Sequence, residues 1–306
     1  MGIAFLFPGQ GSQTTGMLHA LPDHPAVAST LDEISEILGG DVRLLDSAEA
    51  LESTVSVQVA LLTSGVVVAR ALNAEGIRAE AVAGLSVGAF AAAVQCGVIG
   101  LRDAVHLVQQ RARMMEELYP TGYGLAAIVG LTEKQVSQLV EAAYTEQDPV
   151  YVGNINSPRQ VVIAGSNHGM AKVIEAARNN GARKAERLDV SVPSHCPLLE
   201  AVAAALRESL RRMHLQPPSL IYVGNVTARA LRTADAIAED LANNIAHGVR
   251  WNDSVRVLEE LGCGLFLEMP PGHVLSELAK EVVPEVRTLA MGESSLQHAL
   301  RVSGQR

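Results

Sequence analysis

Aromatic residues are scarce, at 3% of 306, and basic residues are outnumbered, 24 Lys and Arg against 33 Asp and Glu, for a net charge of -9. That balance opposes a nucleic-acid-binding or anionic-membrane role, because such surfaces need clustered Lys and Arg to displace counterions. Local basic patches stay open. Cysteine is rare as well. Cys96, Cys196 and Cys263 are an odd number, far apart and without CxxC spacing, so they suggest neither a disulfide framework nor a zinc site, and they fit a reducing cytoplasm. The opening Met-Gly-Ile-Ala-Phe-Leu-Phe-Pro has no basic n-region, so a cleaved secretory signal is not indicated, and Gly2 does not make a myristoylation signal. A strongly hydrophobic span is also lacking. The uncharged run over 81–101 is long enough to cross a bilayer, but four glycines, a glutamine and a mostly alanine filling leave it weakly apolar. What the chain does have is 48% apolar against 19% charged residues, the composition of an ordinary globular protein with the length for a sizeable core in one large domain or two.

Short apolar runs alternate with helical patterns. Residues 3–7 predict a buried strand that Pro8-Gly9 stops, with a loop over 10–15. A long apolar helix is expected over 52–75, then a short strand over 82–84, an alanine-rich helix over 87–96 and another helix over 101–119. Further on, strands are expected over 220–223, 265–269 and 286–289, separated by helices around 197–213, 234–246 and 251–261. In the last of these Trp251, Val255, Leu258 and Leu261 fall on one face. Such alternation predicts a mainly parallel sheet covered by helices on both sides.

The middle of the chain has a different rhythm. It reads as strand 125–129, helix 132–143 with Thr132 as N-cap and Gln135 at the fourth position, strand 150–154, a turn at Asn156-Ser157-Pro158, strand 160–164, helix 167–180 closed by Gly181, and strand 185–190. This βαββαβ order is the split βαβ, or ferredoxin-like, unit. The expected fold class is α/β: an α/β-hydrolase-like parallel-sheet body of residues 1–122 and 192–306, with an inserted ferredoxin-like small domain over 123–191. The cleft between the two parts is the default place for a ligand.

Gly84-Leu85-Ser86-Val87-Gly88 matches the GxSxG nucleophile elbow, with a strand before and a helix after it as the motif requires, and this accounts for the uncharged run. The competing reading is a serine that N-caps a helix. The helix start would present backbone N–H groups, that of Val87 among them, to a developing oxyanion. A serine nucleophile needs a base, and nine histidines are available. His19 and His24 lie in a polar N-terminal stretch, His106, His214 and His298 on helical stretches, and His168 beside the insert's second helix. His195 follows a strand and precedes a helix where the chain returns from the insert to the body, a junction that should face the cleft; a structural histidine is the alternative. Cys196 is a rival nucleophile, but neighbouring side chains in extended chain point apart. Gly9-Gln10-Gly11-Ser12-Gln13-Thr14-Thr15-Gly16 invites a phosphate-loop reading and fails it, since Met17 and Leu18 stand where Lys and Ser or Thr are needed and the spacing is not GxGxxG. A glycine-rich turn donating a second N–H beside the elbow is the better role. Arg111, on the helix after the elbow helix, is either a surface arginine or a bidentate clamp for a substrate carboxylate.

Together these segments resemble the malonyl-CoA:acyl carrier protein transacylase family, the acyltransferase domains of fatty acid and polyketide synthases, over nearly the whole chain. The resemblance implies that Gln10, in Phe7-Pro8-Gly9-Gln10-Gly11-Ser12-Gln13, supplies an oxyanion N–H alongside Val87. Ser86 stands at the nucleophile, His195 at the base, and Arg111 at the malonate-binding arginine. Asn154 and Asn156, in Gly153-Asn154-Ile155-Asn156-Ser157-Pro158, match an asparagine-rich substrate motif. Arg250, in Val249-Arg250-Trp251, lies in the segment whose backbone carbonyl orients the histidine, so that a Ser/His dyad needs no acid. Fatty-acid members carry GHSLGEY around the serine, where this chain has Leu85, Val87, Ala89 and Phe90. With Val192-Pro193-Ser194-His195-Cys196 and Glu268-Met269-Pro270-Pro271-Gly272, the variant is most similar to the malonyltransferase (epsilon) subunit of bacterial malonate decarboxylase.

What the resemblance implies is a ping-pong transfer of malonyl from malonyl-CoA to the thiol of an acyl carrier protein through malonyl-Ser86. The acceptor arm is phosphoribosyl-dephospho-CoA if the carrier is that of malonate decarboxylase, and phosphopantetheine if it serves a fatty acid or polyketide synthase. No permanently bound cofactor and no metal are expected. Expected partners are malonyl-CoA, the carrier protein and other decarboxylase subunits, without nucleic acid or membrane, in the cytoplasm. A serine hydrolase or esterase on the same elbow is the rival from another class, and an interaction subunit with a vestigial elbow is the non-enzymatic one. Lys172, Arg178, Arg183, Lys184 and Arg187 around the insert are candidates for docking an acidic carrier, against the plainer reading of a solvated face.

Overall fold

The first strand, β1 (Gly2–Phe7), is buried along its whole length: Ile3, Phe5 and Phe7 pack into one hydrophobic cluster, Ala4 and Leu6 into another. Successive side chains of a strand point to opposite faces, and here both faces are covered, which is why the run is apolar without interruption. The computed structural model describes residues 2–304. After β1 come α1 (Pro25–Leu38), α2 (Thr54–Ala74), β2 (Ala81–Gly84), α3 (Gly88–Gln95) and α4 (Leu101–Leu118). The middle segment holds β3 (Tyr123–Val129), α5 (Glu133–Ala143), β4 (Val150–Ser157), β5 (Gln160–Ser166), α6 (Asn167–Asn179) and β6 (Lys184–Arg187). The chain continues through α7 (Glu200–Arg211), β7 (Ile221–Val223), β8 (Ala230–Leu231), α8 (Ala234–Asn243), α9 (Trp251–Glu260), β9 (Cys263–Glu268), α10 (Val274–Val282), β10 (Arg287–Ala290) and α11 (Leu296–Ser303).

The larger sheet has six strands in the order β10-β9-β1-β2-β7-β8, parallel throughout except for the short antiparallel β8. Phe7 is in register with Gly84, so the loops after β1 and β2 leave the same edge side by side. In an open α/β sheet that carboxyl edge is where ligands bind. The smaller sheet is antiparallel, in the order β4-β5-β3-β6, the ferredoxin-like arrangement that the βαββαβ order predicts. Ala126, Ile128, Val161 and Ile163 on one face pack against α5 and α6, while Leu125, Val162 and Ala164 on the other face turn toward the larger sheet. Thr132 and Gln135 form the expected capping box at the start of α5.

Of the described helices, α2 is the one long and apolar enough to cross a bilayer, and most of it is buried in the main core. The uncharged run over 81–101 is β2, the turn after it and α3. The expected face of α9 is buried at Trp251, Val255 and Leu258.

Two helices lie where the sequence reading placed none, α1 and α10, while α11 holds His298 on the helical stretch expected for it. The first carried readable signals, Pro25 in its first turn and Gly39 in the left-handed conformation at its end. Strand β4 runs to Ser157, beyond its expected end at 154. Ser157 pairs with Gln160, so the hairpin turns at Pro158-Arg159, and cross-strand pairing overrides the turn signal at Asn156-Ser157-Pro158. Strand β6 stops at Arg187, and Leu188 and Val190 line a cavity instead of extending the sheet.

Candidate active site

Ser86 stands on the turn between β2 and α3 with φ of 56°, a left-handed conformation that costs a non-glycine residue about 1–3 kcal/mol and persists only where the surroundings enforce it. Two glycines make the turn possible. A Cβ on Gly88 would lie 2.2 Å from the Phe7 carbonyl oxygen, and one on Gly9 would lie 2.7 Å from that of Leu85. Glycine at these positions lets the loop after β1 press against the elbow, bringing Gln10 beside Ser86. Among the described residues neither the Gln10 nor the Val87 backbone N–H donates to a protein acceptor, as an oxyanion hole requires.

Arg111 is 1% exposed and has no carboxylate partner among the described residues. One guanidinium nitrogen donates to Gln58 Oε1 at 2.6 Å, another to Ser86 Oγ at 3.0 Å, and Nε is buried without a partner. Burial pulls its pKa down to about 9, so it remains charged at neutral pH. An unpaired buried cation is costly, and an anionic ligand is the chemical complement of this one. The surface reading of Arg111 is thereby excluded.

His195 is buried, and it too has a left-handed backbone, with φ of 67°. Its Nδ1 lies 2.5 Å from the Asn244 carbonyl oxygen, and its backbone N–H donates to Ile245 O at 2.7 Å. A carbonyl can only accept, so Nδ1 carries the proton and Nε2 is left as the basic nitrogen. Burial first, and the charge of Arg111 second, push the imidazole pKa down to about 3 despite the hydrogen bond that Nδ1 donates to the Asn244 carbonyl. Ser86 Oγ accepts from Arg111 and makes no hydrogen bond to His195; such contacts commonly tighten only when substrate binds. The rival Cys196 thiol is buried, bonded to the Pro193 carbonyl and pushed up to about 12 by desolvation, so it stays protonated.

Gln10, Ser86, Arg111, Asn154, Asn156 and His195 converge on one cavity of about 200 Å³ between the two sheets, and no other described histidine lines it. Leu85, Leu125, Val162, Val190 and Leu275 supply apolar walls. The extended β4 puts Asn154 and Asn156 two residues apart in the strand, both lining the cavity, each with a buried Oδ1 that has no protein partner. A family profile described as the acyl transferase domain matches residues 4–294. Over 302 residues, 97% of both chains, the sequence is 38% identical to the malonyl CoA-acyl carrier protein transacylase of Escherichia coli strain K12. The chain belongs to the malonyl-CoA:acyl carrier protein transacylase family.

A transacylase of Bacillus subtilis strain 168 is 35% identical over 95% of this chain and 93% of its own. Among solved structures, that of the Coxiella burnetii transacylase superposes with a TM-score of 0.94 at 32% identity, covering 100% of this chain and 98% of the other. A type II polyketide synthase acyl carrier protein in complex with its malonyl-transacylase matches with a TM-score of 0.94 at 35% identity, over 99% of this chain and 100% of the other. These named relatives are transacylases and not malonate decarboxylase subunits, so the narrower likeness drawn from the elbow sequence finds no support among them.

Two parts of the expected transacylase site need correction. The carbonyl facing His195 belongs to Asn244, not to the 249–251 segment, where the Val249 carbonyl is taken by the Ile155 N–H at 2.8 Å. Arg250 lies outside the cavity lining: its guanidinium pairs with Glu133 at 3.1 Å and Asp253 at 2.6 Å, bridging α5 and α9. The sequence reading also missed Gln58 and Asn244. Gln58 was findable, as a lone amide in the apolar stretch of α2; a backbone carbonyl leaves no side-chain signature. Of the docking candidates, Lys172 pairs with Asp148 at 3.1 Å and Lys184 with Glu186 at 2.6 Å, which reduces the positive field these two present, and Arg178 donates to the Ala185 carbonyl at 2.7 Å.

Proposed function

We propose that the protein transfers malonyl from malonyl-CoA to the phosphopantetheine thiol of an acyl carrier protein serving fatty acid or polyketide synthesis. The observation that carries this reading is the buried guanidinium of Arg111, without a carboxylate partner and 3.0 Å from Ser86 Oγ. It fits an acyl group that ends in a carboxylate, held as Ser86 attacks its thioester end. His195 Nε2 takes the hydroxyl proton, the Gln10 and Val87 amides receive the oxyanion, and coenzyme A leaves as the thiol with the proton His195 returns. As malonate occupies Arg111 its charge is offset, which raises the basicity of His195 when the imidazolium must form. The carrier thiol then runs the same steps in reverse, with Asn154 and Asn156 available to the amides of either arm. Buried, protonated thiols at Cys96, Cys196 and Cys263 accord with a cytoplasmic setting.

A second reading keeps the chemistry and changes the acceptor to a carrier with a phosphoribosyl-dephospho-CoA arm, as in malonate decarboxylase. One observation favours it: Leu85 forms part of the cavity wall where fatty-acid members place histidine. The test of both is the intact mass of the protein after brief exposure to malonyl-CoA or acetyl-CoA, followed by either kind of carrier. The expected result is a malonyl adduct that persists in buffer and leaves only with a phosphopantetheine carrier. Discharge by water within seconds would indicate a hydrolase, and the absence of any adduct would defeat acyl transfer.

The histidine also sets a pH profile. His195 acts as a base only while neutral, and a pKa lowered from 6.5 to about 3 keeps it neutral as the pH falls. The kcat/KM for coenzyme A release, which reports the free enzyme, is therefore expected to stay level from about pH 8 to about pH 5, with the acid limb lower still. A limb at or above 6.5 would show that His195 is not the desolvated base.

A further inference from the structure

The C-terminal turn of α8 reaches both reacting groups. Asn244, the residue after its last, supplies the carbonyl that holds His195 Nδ1. Asp240, one turn earlier, accepts the Asn244 N–H on its own backbone carbonyl at 2.9 Å. Its buried carboxylate accepts three hydrogen bonds, from the Asn225 and Val226 N–H groups at 3.0 Å each and from the Tyr222 hydroxyl at 3.2 Å. Asn225 in turn is bonded at every polar atom. Its Oδ1 accepts the Ser86 N–H at 2.9 Å, its Nδ2 donates to the Gly84 carbonyl at 2.9 Å, and its own carbonyl accepts the Arg250 N–H at 2.8 Å. Neither Asn225 nor Asp240 lines the cavity.

We infer that Asn225 and Asp240 are positioning residues, which hold the Ser86 elbow in register with His195 through the last turn of α8. The inference rests on the acyl-transfer reading of Ser86. The parallel pairing of β2 with β7 ends at Ala83 and Val223, so on the β7 side the backbone flanking Leu85 has no strand beside it, while on the other side β1 still pairs with it. The carboxamide of Asn225 takes that place, accepting from one residue and donating to the other, and thereby enforces the left-handed turn that Ser86 would otherwise leave. No other side chain of that size both donates and accepts with this geometry. The demand at 240 is the reverse. Two amides and a hydroxyl all need an acceptor, which the two carboxylate oxygens provide against a burial that raises the carboxyl pKa, whereas an asparagine would turn an NH2 group toward one of the donors. One helical turn thus ties the nucleophile to the base without touching substrate.

Asn225→Ala removes only the two side-chain bonds at the elbow, and Asp240→Asn keeps the side chain's shape. The test compares these variants and Tyr222→Phe with the parent in three measurements, each on protein shown folded by its melting curve. The first is the rate at which a fluorophosphonate phosphonylates Ser86, a readout of nucleophile alignment that needs no malonyl-CoA. The second is single-turnover malonylation. The third is malonyl-CoA affinity, measured by calorimetry in a Ser86→Ala background. Displacing a reacting atom by about 1 Å costs on the order of 10²-fold, so phosphonylation and malonylation are expected to fall together by about that factor in Asn225→Ala and Asp240→Asn, with affinity within about threefold. Tyr222→Phe, which removes one of three donors to Asp240, is expected to stay within about tenfold of the parent. Folded Asn225→Ala with a phosphonylation rate near that of the parent would overturn the inference, and so would an affinity that falls in step with the rates. If Asn225→Ala does not fold, Asp240→Asn carries the same expectation. A parent protein that is phosphonylated but never malonylated would sink the malonyl reading alone, and the phosphonylation rates would still decide the role of Asn225.

Discussion

With alanine in place of Ser86, the protein is expected to form no malonyl adduct and to lose about 10⁶-fold in turnover, the scale seen when a serine nucleophile is removed from a preorganised site. The reason is that nothing nearby can substitute. The Cys196 thiol is buried against the Pro193 carbonyl and held protonated, and Ser194, the other hydroxyl neighbour of His195, does not stand on the strained turn that aims Ser86 into the cavity. Water could still attack a thioester polarised by the Gln10 and Val87 amides, which leaves a residual rate of roughly 10³- to 10⁴-fold over the uncatalysed reaction. Intact mass and coenzyme A release, measured on the same sample, check the two halves of the expectation. An adduct on the alanine protein would place the acyl group on another residue and defeat the elbow assignment.

The second large effect is expected in selectivity. Arg111→Ala should lower the preference for malonyl-CoA over acetyl-CoA by about 10²- to 10⁴-fold, because breaking a buried ion pair by removing one partner costs about 3–5 kcal/mol. The loss should fall on malonyl-CoA. Acetyl-CoA brings no carboxylate, so it gains nothing from the guanidinium and loses little when it goes. Gln58 is the control on this argument, since its Oε1 holds the guanidinium at 2.6 Å and has no negative charge of its own to offset it. Competition kinetics with the two thioesters give the ratio directly, and malonyl-CoA kinetics unchanged in the alanine protein would remove the carboxylate clamp from the mechanism.

Why some of this was legible in the sequence is a matter of range. The elbow is local: a strand, two glycines and a helix start lie within a dozen residues, and the strain at Ser86 follows from that geometry. The insert was legible for the same reason, through its period-two strands and the capping box at Thr132. Arg111 lay at the margin. It shares a helical face with Leu107, Val108, Ala112 and Met115, so a charge on an apolar stripe was visible, but only tertiary packing shows that nothing neutralises it. The support of His195 was not legible at all. A backbone carbonyl has no residue-type signature, and the assignment to 249–251 was displaced because Val249 is hydrogen-bonded to β4 instead. Asn154 and Asn156 were found by pattern, and their common direction followed only once the pairing of β4 with β5 carried the strand past the expected turn.

That pairing of Val249 with β4 has a wider effect. Its carbonyl takes the Ile155 N–H and its own N–H donates to Gly153 O, each at 2.8 Å, so the segment between α8 and α9 is stitched to β4 of the smaller sheet. The join behaves as a seam and not as a hinge. Parting the two bodies at this point would break both stitches. A seam of this kind holds Asn154 and Asn156, on either side of Ile155, at a fixed distance from the loops that carry Ser86 and His195 into the same cavity.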